Sequence, residues 1–210
     1  MRVVKDPVVR RNELLDAAEH LFTTKGYQDT SITDIVQQVQ VAKGTFYYYF
    51  KSKEEILDEV LLRLIEEDAK RMRQVLTNAS LPPVRKLTLL LLAQNPQPGN
   101  RKDRMTEEFH RRGNAEMHQR GTQLAIERLA PILAEAVREG VVQGVFATDT
   151  PLEDMQMLLA TSTVMFDEGL VQMKPEDLPR RVAAFFRYME RVLGAREGAF
   201  SEMQEALMQG

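Results

Sequence analysis

Apolar residues recur along this chain mostly at three- and four-residue spacings, the period of an α-helix with one buried face. Leu14, Ala17, Ala18, Leu21 and Phe22 form one stripe. It closes at Lys25 and Gly26, a basic last turn followed by the glycine that helices commonly place in a left-handed cap. Ser31 stands three residues before Asp34 and ahead of Ile32, Ile35, Val36 and Val39, which predicts a capping box opening a short amphipathic helix. Gln40, Val41 and Ala42 break that pattern, and the stretch from Lys43 to Phe50 begins another helix. Ser52 and Glu55 make a second capping box. Ile56, Leu57, Val60, Leu61, Leu64 and Ile65 then predict a long fourth helix, continuous to about Leu76.

No four residues alternate convincingly with period two, so the expected fold is all-α. Residues 78–83 read as a break and residues 95–100, with two prolines and a glycine, as a loop. An apolar helix is expected around Val84 to Ala93, then a polar stretch from Arg101 to Arg120. The next helix carries Leu124, Leu129, Ile132, Leu133, Ala136 and Val137, with Pro131 kinking it or marking its effective start. Gly140 to Thr148 reads as a connector. Thr150, Pro151 and Glu153 combine an N-cap, a proline at the first helical position and a glutamate at the third. Helices from Pro151 to Val171 and from Leu178 to Leu193 follow, with a short polar tail of a further turn or two.

Two short helices joined by about three residues outline a helix-turn-helix, here about residues 31–50, whose second helix enters the DNA major groove. At about 100° per residue, Phe46 and Phe50 fall on one side of that helix, toward Ile35, Val39 and the first helix. Gly44, Thr45, Tyr47 and Tyr48 fall on the other. Gly44 would let a partner's backbone approach closely, Thr45 offers a hydroxyl and a methyl to base edges, and the tyrosine hydroxyls can donate to phosphates. Tyr49 lies at the flank. Lys53, in the first turn of the fourth helix, can meet a phosphate together with that helix end.

The stretch from about Asn12 to Leu57, and within it LLDAAEHLFTTKGYQDTSITDIV followed by VAKGTFYYYFKSKEEIL, closely resembles the DNA-binding domain of TetR-family transcriptional regulators. The resemblance implies a three-helix DNA-binding domain at residues 8–68 and a larger helical effector-binding and dimerisation domain at residues 76–210. It implies DNA contacts from Thr33, Lys43, Gly44, Thr45, Tyr47, Tyr48, Tyr49 and Lys53, with Ser31 acting as a cap. It also implies a homodimeric, ligand-responsive repressor that binds a palindromic double-stranded DNA operator and a small-molecule effector. One position departs from the family pattern: Ala42 stands where many members have serine, and an N-cap worth about 1 kcal/mol is lost with it. Arg10 and Arg11 read more readily as a solvated helix start than as an arm touching the DNA backbone or minor groove. The competing reading is a protein–protein adaptor that uses the tyrosine face.

One helix-turn-helix reads few base pairs, so a dimer on two half-sites is expected. Candidate interface residues are Met157, Leu158, Thr161 and Met165 on one late helix and Phe185, Phe186 and Met189 on the other. An effector pocket is expected among the central helices, where the eleven methionines suit an adaptable apolar cavity, with His110, Arg111, Met117 and Met165 as candidates. Glu107 and His110 have the helical spacing of a metal-binding pair, but no further ligands accompany them, so no metal is expected.

Composition changes this picture little. The 210 residues carry a net charge of −3, yet residues 1–53 hold eight Lys/Arg against six Asp/Glu, leaving the excess of acid in the remainder. There is no cysteine, which excludes thiolate chemistry and disulfides. The first twelve residues lack the pattern of a signal peptide, and the apolar run from Leu87 to Ala93 is too short to span a bilayer; a cytoplasmic protein is expected. No nucleophile elbow, P-loop, dinucleotide fingerprint or zinc-protease helix is present, so neither an enzyme nor a cofactor is expected.

Overall fold

The computed structural model describes residues 6–93, 103–105, 115–166, 171 and 174–209. Among these the ordered elements are helical: α1 (Pro7–Thr24), α2 (Ile32–Val39), α3 (Lys43–Tyr49), α4 (Lys53–Leu76), α5 (Pro83–Leu92), α6 (Ala115–Val142), α7 (Pro151–Met165), a 3-10 turn (Pro175–Asp177), α8 (Leu178–Val192) and α9 (Ser201–Gln209). No strand occurs among the described residues. The described residues form two compact units, one holding 6–64, 103–105 and 115–121, the other 65–93 and those from 122 onward.

The first unit is organised by helix ends. The side chain of Asp6 accepts from the Val8 N–H and Pro7 occupies the first turn of α1. Gly26, at φ 97°, ends α1 as its sequence suggests, with the Gly26 N–H on the carbonyl of Leu21. Leu14, Leu15, Ala17, Ala18 and Phe22 of α1 are buried. Phe22 meets the edge of Tyr27 at 5.2 Å between ring centroids. Glu19 is buried too, and its charge is matched by Arg63 of α4, which also donates to Asp16 at 2.6 Å. Burial works against the charged form of Arg63, but these two carboxylates outweigh it and hold its pKa above the ordinary value. Arg10 pairs with Glu13, and Arg11 pairs with Glu59 while lying over the Phe50 ring; both arginines therefore belong to helix α1.

The second capping box is displaced by one residue. Ser52 Oγ accepts from the Glu55 N–H at 3.2 Å as expected, whereas the Glu55 carboxylate reaches back to the N–H of Lys51.

In the second unit, Leu87 and Leu90 of α5, Leu133 and Val137 of α6, Met155 and Leu158 of α7, and Phe186 and Met189 of α8 share one apolar core. Three sequence expectations change here. Pro131 does not start a helix, because α6 runs through it from Ala115; Leu129, Ala130, Ile132 and Leu133, all buried around the proline, hold the backbone helical past the lost hydrogen bond. Thr150 does not cap α7 through its side chain. Its hydroxyl and that of Thr148 both donate to the buried carboxylate of Asp154. The tail is not a bare polar turn, since Phe200 and Met203 are buried in the core and Phe200 stacks on Phe146 at 6.2 Å.

Two close approaches fix the connector between α6 and α7. A Cβ on Gly140 would fall 2.2 Å from the Phe146 ring, and one on Gly194, at φ 59°, would fall 2.7 Å from the carbonyl oxygen of Ala147. Lys86, 2% exposed, is neutralised by Glu139 at 2.5 Å across α5 and α6. The C-terminal part of α7 and the whole of α8 also carry exposed apolar side chains: Val164 and Met165 on the former, Leu178 and Tyr188 on the latter, with Met157 exposed earlier on α7.

Candidate nucleic-acid interface

The helix pair α2 and α3 is set by three local devices. At its start Ser31 Oγ accepts from the Asp34 N–H at 3.1 Å, and Asp34 Oδ2 accepts from the Ser31 N–H at 2.7 Å, the reciprocal box read from the sequence. Lys25 closes on the same carboxylate at 2.8 Å. The Lys25 ammonium, then the Ser31 N–H and hydroxyl, hold the Asp34 carboxyl well below the usual carboxylate range. At the end of α2, Gln40 takes the left-handed conformation, φ 57° and ψ 48°, and the Val41 N–H donates back to the Val36 carbonyl at 2.9 Å. The turn from α2 into α3 is therefore made within three residues.

Helix α3 begins at Lys43 without a side-chain cap, because Ala42 has none to offer. Its two phenylalanines hold it down: Phe46 is 0% and Phe50 1% exposed, their rings 5.7 Å apart. The opposite face is open. Lys43 and Gly44 are exposed, Thr45 is half-buried, and Tyr47 and Tyr48 are 51% and 77% exposed. Tyr47 leans edge-on against Phe46 at 5.6 Å, and Tyr49, half-buried, supports Tyr48 edge-on at 4.8 Å. These contacts restrict both exposed rings before any partner arrives. A Cβ added to Gly44 would meet nothing within 4 Å, so the fold itself has no need of glycine there. Thr33, in the first turn of α2, is exposed beside this face in sequence.

Lys53 is placed differently from the other predicted contacts. Its ammonium donates to the carbonyls of Tyr27 at 2.9 Å, Thr30 at 3.0 Å and Gln28 at 3.4 Å, and lies 4.3 Å over the Tyr27 ring. Three protons meet three carbonyls, so Lys53 pins the turn after α1 to the first turn of α4. Sequence reading missed this role, since those carbonyls lie more than twenty residues away along the chain.

Of the effector candidates, Met117 and Met165 fall within the described residues. His110 and Arg111, with the Glu107 and His110 pair, lie outside the described residues. Met117 is fully buried in the first unit, and Met165 is 38% exposed. The cavity of the second unit, about 420 Å³, is instead lined by side chains such as Leu133, Leu158, Thr163, Phe185 and Met189. Of the interface candidates, Leu158, Phe186 and Met189 are at most 4% exposed and belong to the protomer's own apolar core. Met157 and Met165 are exposed, and Thr161 and Phe185 half-buried. The two stripes were richer in apolar residues than one face needs because each helix covers both a core and an outer surface.

A capped helix, a three-residue turn and a second helix that buries two phenylalanines while exposing a basic and aromatic face define a helix-turn-helix protein. Residues 14–60 match the family model described as bacterial regulatory proteins, tetR family, and residues 99–188 match that of the tetracyclin repressor-like C-terminal domain. The chain belongs to the TetR family of bacterial regulatory proteins. Among curated relatives it is 37% identical over 87 residues to the HTH-type transcriptional repressor KstR2 of Mycolicibacterium smegmatis, 41% of this chain and 42% of that protein. It is 34% identical over 77 residues to the repressor DhaR of Mycobacterium sp. strain GP1, 37% of this chain and 39% of that one. The matched region thus spans about two-fifths of these relatives. Two solved structures share the fold: SmeT, the repressor of the Stenotrophomonas maltophilia efflux pump SmeDEF, at TM-score 0.62, 23% identity and coverage of 90% and 92%, and RolR bound to resorcinol, at TM-score 0.66, 20% identity and coverage of 95% and 93%.

Proposed function

We propose that this protein is a DNA-binding transcriptional repressor that reads a palindromic operator as a homodimer and is released by a small-molecule effector. One observation carries the DNA reading: α3 buries Phe46 and Phe50 completely while Tyr47 and Tyr48 stand exposed beside an unhindered Gly44 and Lys43. On that arrangement Gly44 and Thr45 approach base edges, and Lys43, Tyr47 and Tyr48 hold phosphates, with Tyr49 bracing Tyr48 and Thr33 contacting backbone from α2. Lys53 adds positive potential at the first turn of α4 while it fixes the neighbouring turn. The curated relatives KstR2 and DhaR, similar over about two-fifths of the chain, are named repressors, which supports the same activity here.

Dimerisation is supported by the exposed apolar set Met157, Val164, Met165 and Tyr188 on α7 and α8. Effector binding is supported by the cavity in the second unit and by the neighbours solved with ligands, RolR with resorcinol and SmeT with triclosan. Helix α4 supplies residues up to Leu64 to one unit and from Ile65 to the other, a covalent route by which repacking around a ligand could alter the spacing of two recognition helices.

The test is the salt dependence of duplex binding by the native chain and by Tyr47→Phe with Tyr48→Phe. Loss of two hydroxyl donors to phosphate should weaken binding by roughly tenfold each. Native affinity should fall steeply and linearly with the logarithm of salt concentration. Salt-insensitive capture of a polypeptide, with no duplex binding, would favour the adaptor reading.

A further inference from the structure

The cavity of the second unit has a chemical character that selects among effectors. Of the side chains that line it, twelve are apolar and two, Ser162 and Thr163, are hydroxyls; none among the described residues is charged or titratable. Both hydroxyls already donate to one acceptor, the carbonyl of Leu159, each at 2.9 Å. Their protons are therefore committed within the helix, which leaves the two hydroxyls of the cavity lining to act as acceptors. About 420 Å³, at the ~30 Å³ a water occupies in the liquid, holds on the order of a dozen heavy atoms.

We infer that this cavity takes an uncharged, largely hydrocarbon molecule of about that size carrying one hydroxyl or N–H donor, which bonds to the oxygens of Ser162 and Thr163. The inference rests on reading the cavity as the effector site. It disfavours an acidic effector within the cavity, because a carboxylate there would lose its hydration while no described lining side chain carries a positive charge. An alcohol loses one hydrogen bond to water and regains one to a hydroxyl oxygen, while its chain contacts Leu158, Phe185 and Met189.

The experiment is isothermal titration of the full chain, without DNA, with 1-decanol, decanoate, decylammonium and methyl decyl ether. Decanol should bind at least ~100-fold more tightly than decanoate at pH 7.5, since the acid must first be protonated against a pKa near 4.3. That gap should narrow about tenfold for each pH unit lowered toward 5, with decanol affinity flat. Decylammonium should bind no better than decanoate at pH 7.5. The double variant Ser162→Ala, Thr163→Val should keep its helical content and lose the preference for decanol over the ether, expected at roughly tenfold. Equal affinity of decanoate and decanol at pH 7.5, or a decanol preference that survives the double variant, overturns the inference. So does failure of all four molecules to bind a chain that still binds its operator. Failure of the DNA reading would show separately, as a chain that binds decanol but no duplex.

Discussion

The Lys53 ammonium donates to the Tyr27 carbonyl at 2.9 Å and lies 4.3 Å over the ring of the same residue. The contact ties the turn following α1 to the helix that follows α3, so the segment between, which contains α2 and α3, is clamped at both ends. Lys53→Met keeps the apolar stem and removes the donor. It should cost about 2 kcal/mol in urea unfolding, because the charge-assisted bonds to carbonyls are lost. A lysine that served only as a phosphate contact would leave stability unchanged and reduce the salt slope of DNA binding by about 0.9.

Gly44 separates folding from binding. Its Cβ position is empty space within a helix, so Gly44→Ala should stabilise the free protein by about 0.5 kcal/mol. The same methyl would stand where a base edge or phosphate must approach, and operator affinity should fall at least tenfold. Thermal unfolding and duplex titration on one preparation read both effects, and unchanged affinity would remove Gly44 from the interface.

Ala42 leaves α3 without a side-chain cap. Ala42→Ser should therefore add about 1 kcal/mol to the stability of the folded chain, measured by urea unfolding. No gain would mean that the burial of Phe46 and Phe50 already holds the helix start, leaving fraying there too small for a cap to suppress.

Asp34 gives α2 an acid-sensitive anchor. Its folded pKa lies below the ordinary 3.8, so its ionised form is preferentially stabilised in the folded chain. The native protein should exceed Asp34→Asn in stability by a constant margin above about pH 5, and that margin should shrink as the pH falls below 3.8 toward the folded value. Added salt should reduce it at neutral pH, since the Lys25 partner is exposed to solvent. A margin that grew on acidification would contradict the assignment.

Much of the first unit was legible in the sequence because its determinants are local. A capping box, a left-handed Gly26, and the opposed faces of Phe46 and Tyr48 are all set within four residues of one another. What escaped reading depends on partners distant along the chain. Lys53 meets carbonyls beyond α2 and α3, Phe200 finds Phe146 across α8, and Leu158 and Met189 pack into the protomer's own core. Periodicity shows that a face is apolar; it does not show which element covers it. Pro131 does not mark a helix start for the same reason, since tertiary packing on both sides keeps α6 continuous through it.

The central claim is that the exposed face of α3 reads DNA, and selection from a random duplex pool tests it most directly. The native chain and a Tyr47→Ala, Tyr48→Ala variant, both shown to be folded and free of bound ligand, would be taken through the same selection. Enrichment by the native chain alone of a palindrome, with half-sites about one duplex turn or a multiple apart, is the predicted result. No enrichment by the native chain, or the same sequence enriched equally by the variant, would contradict it.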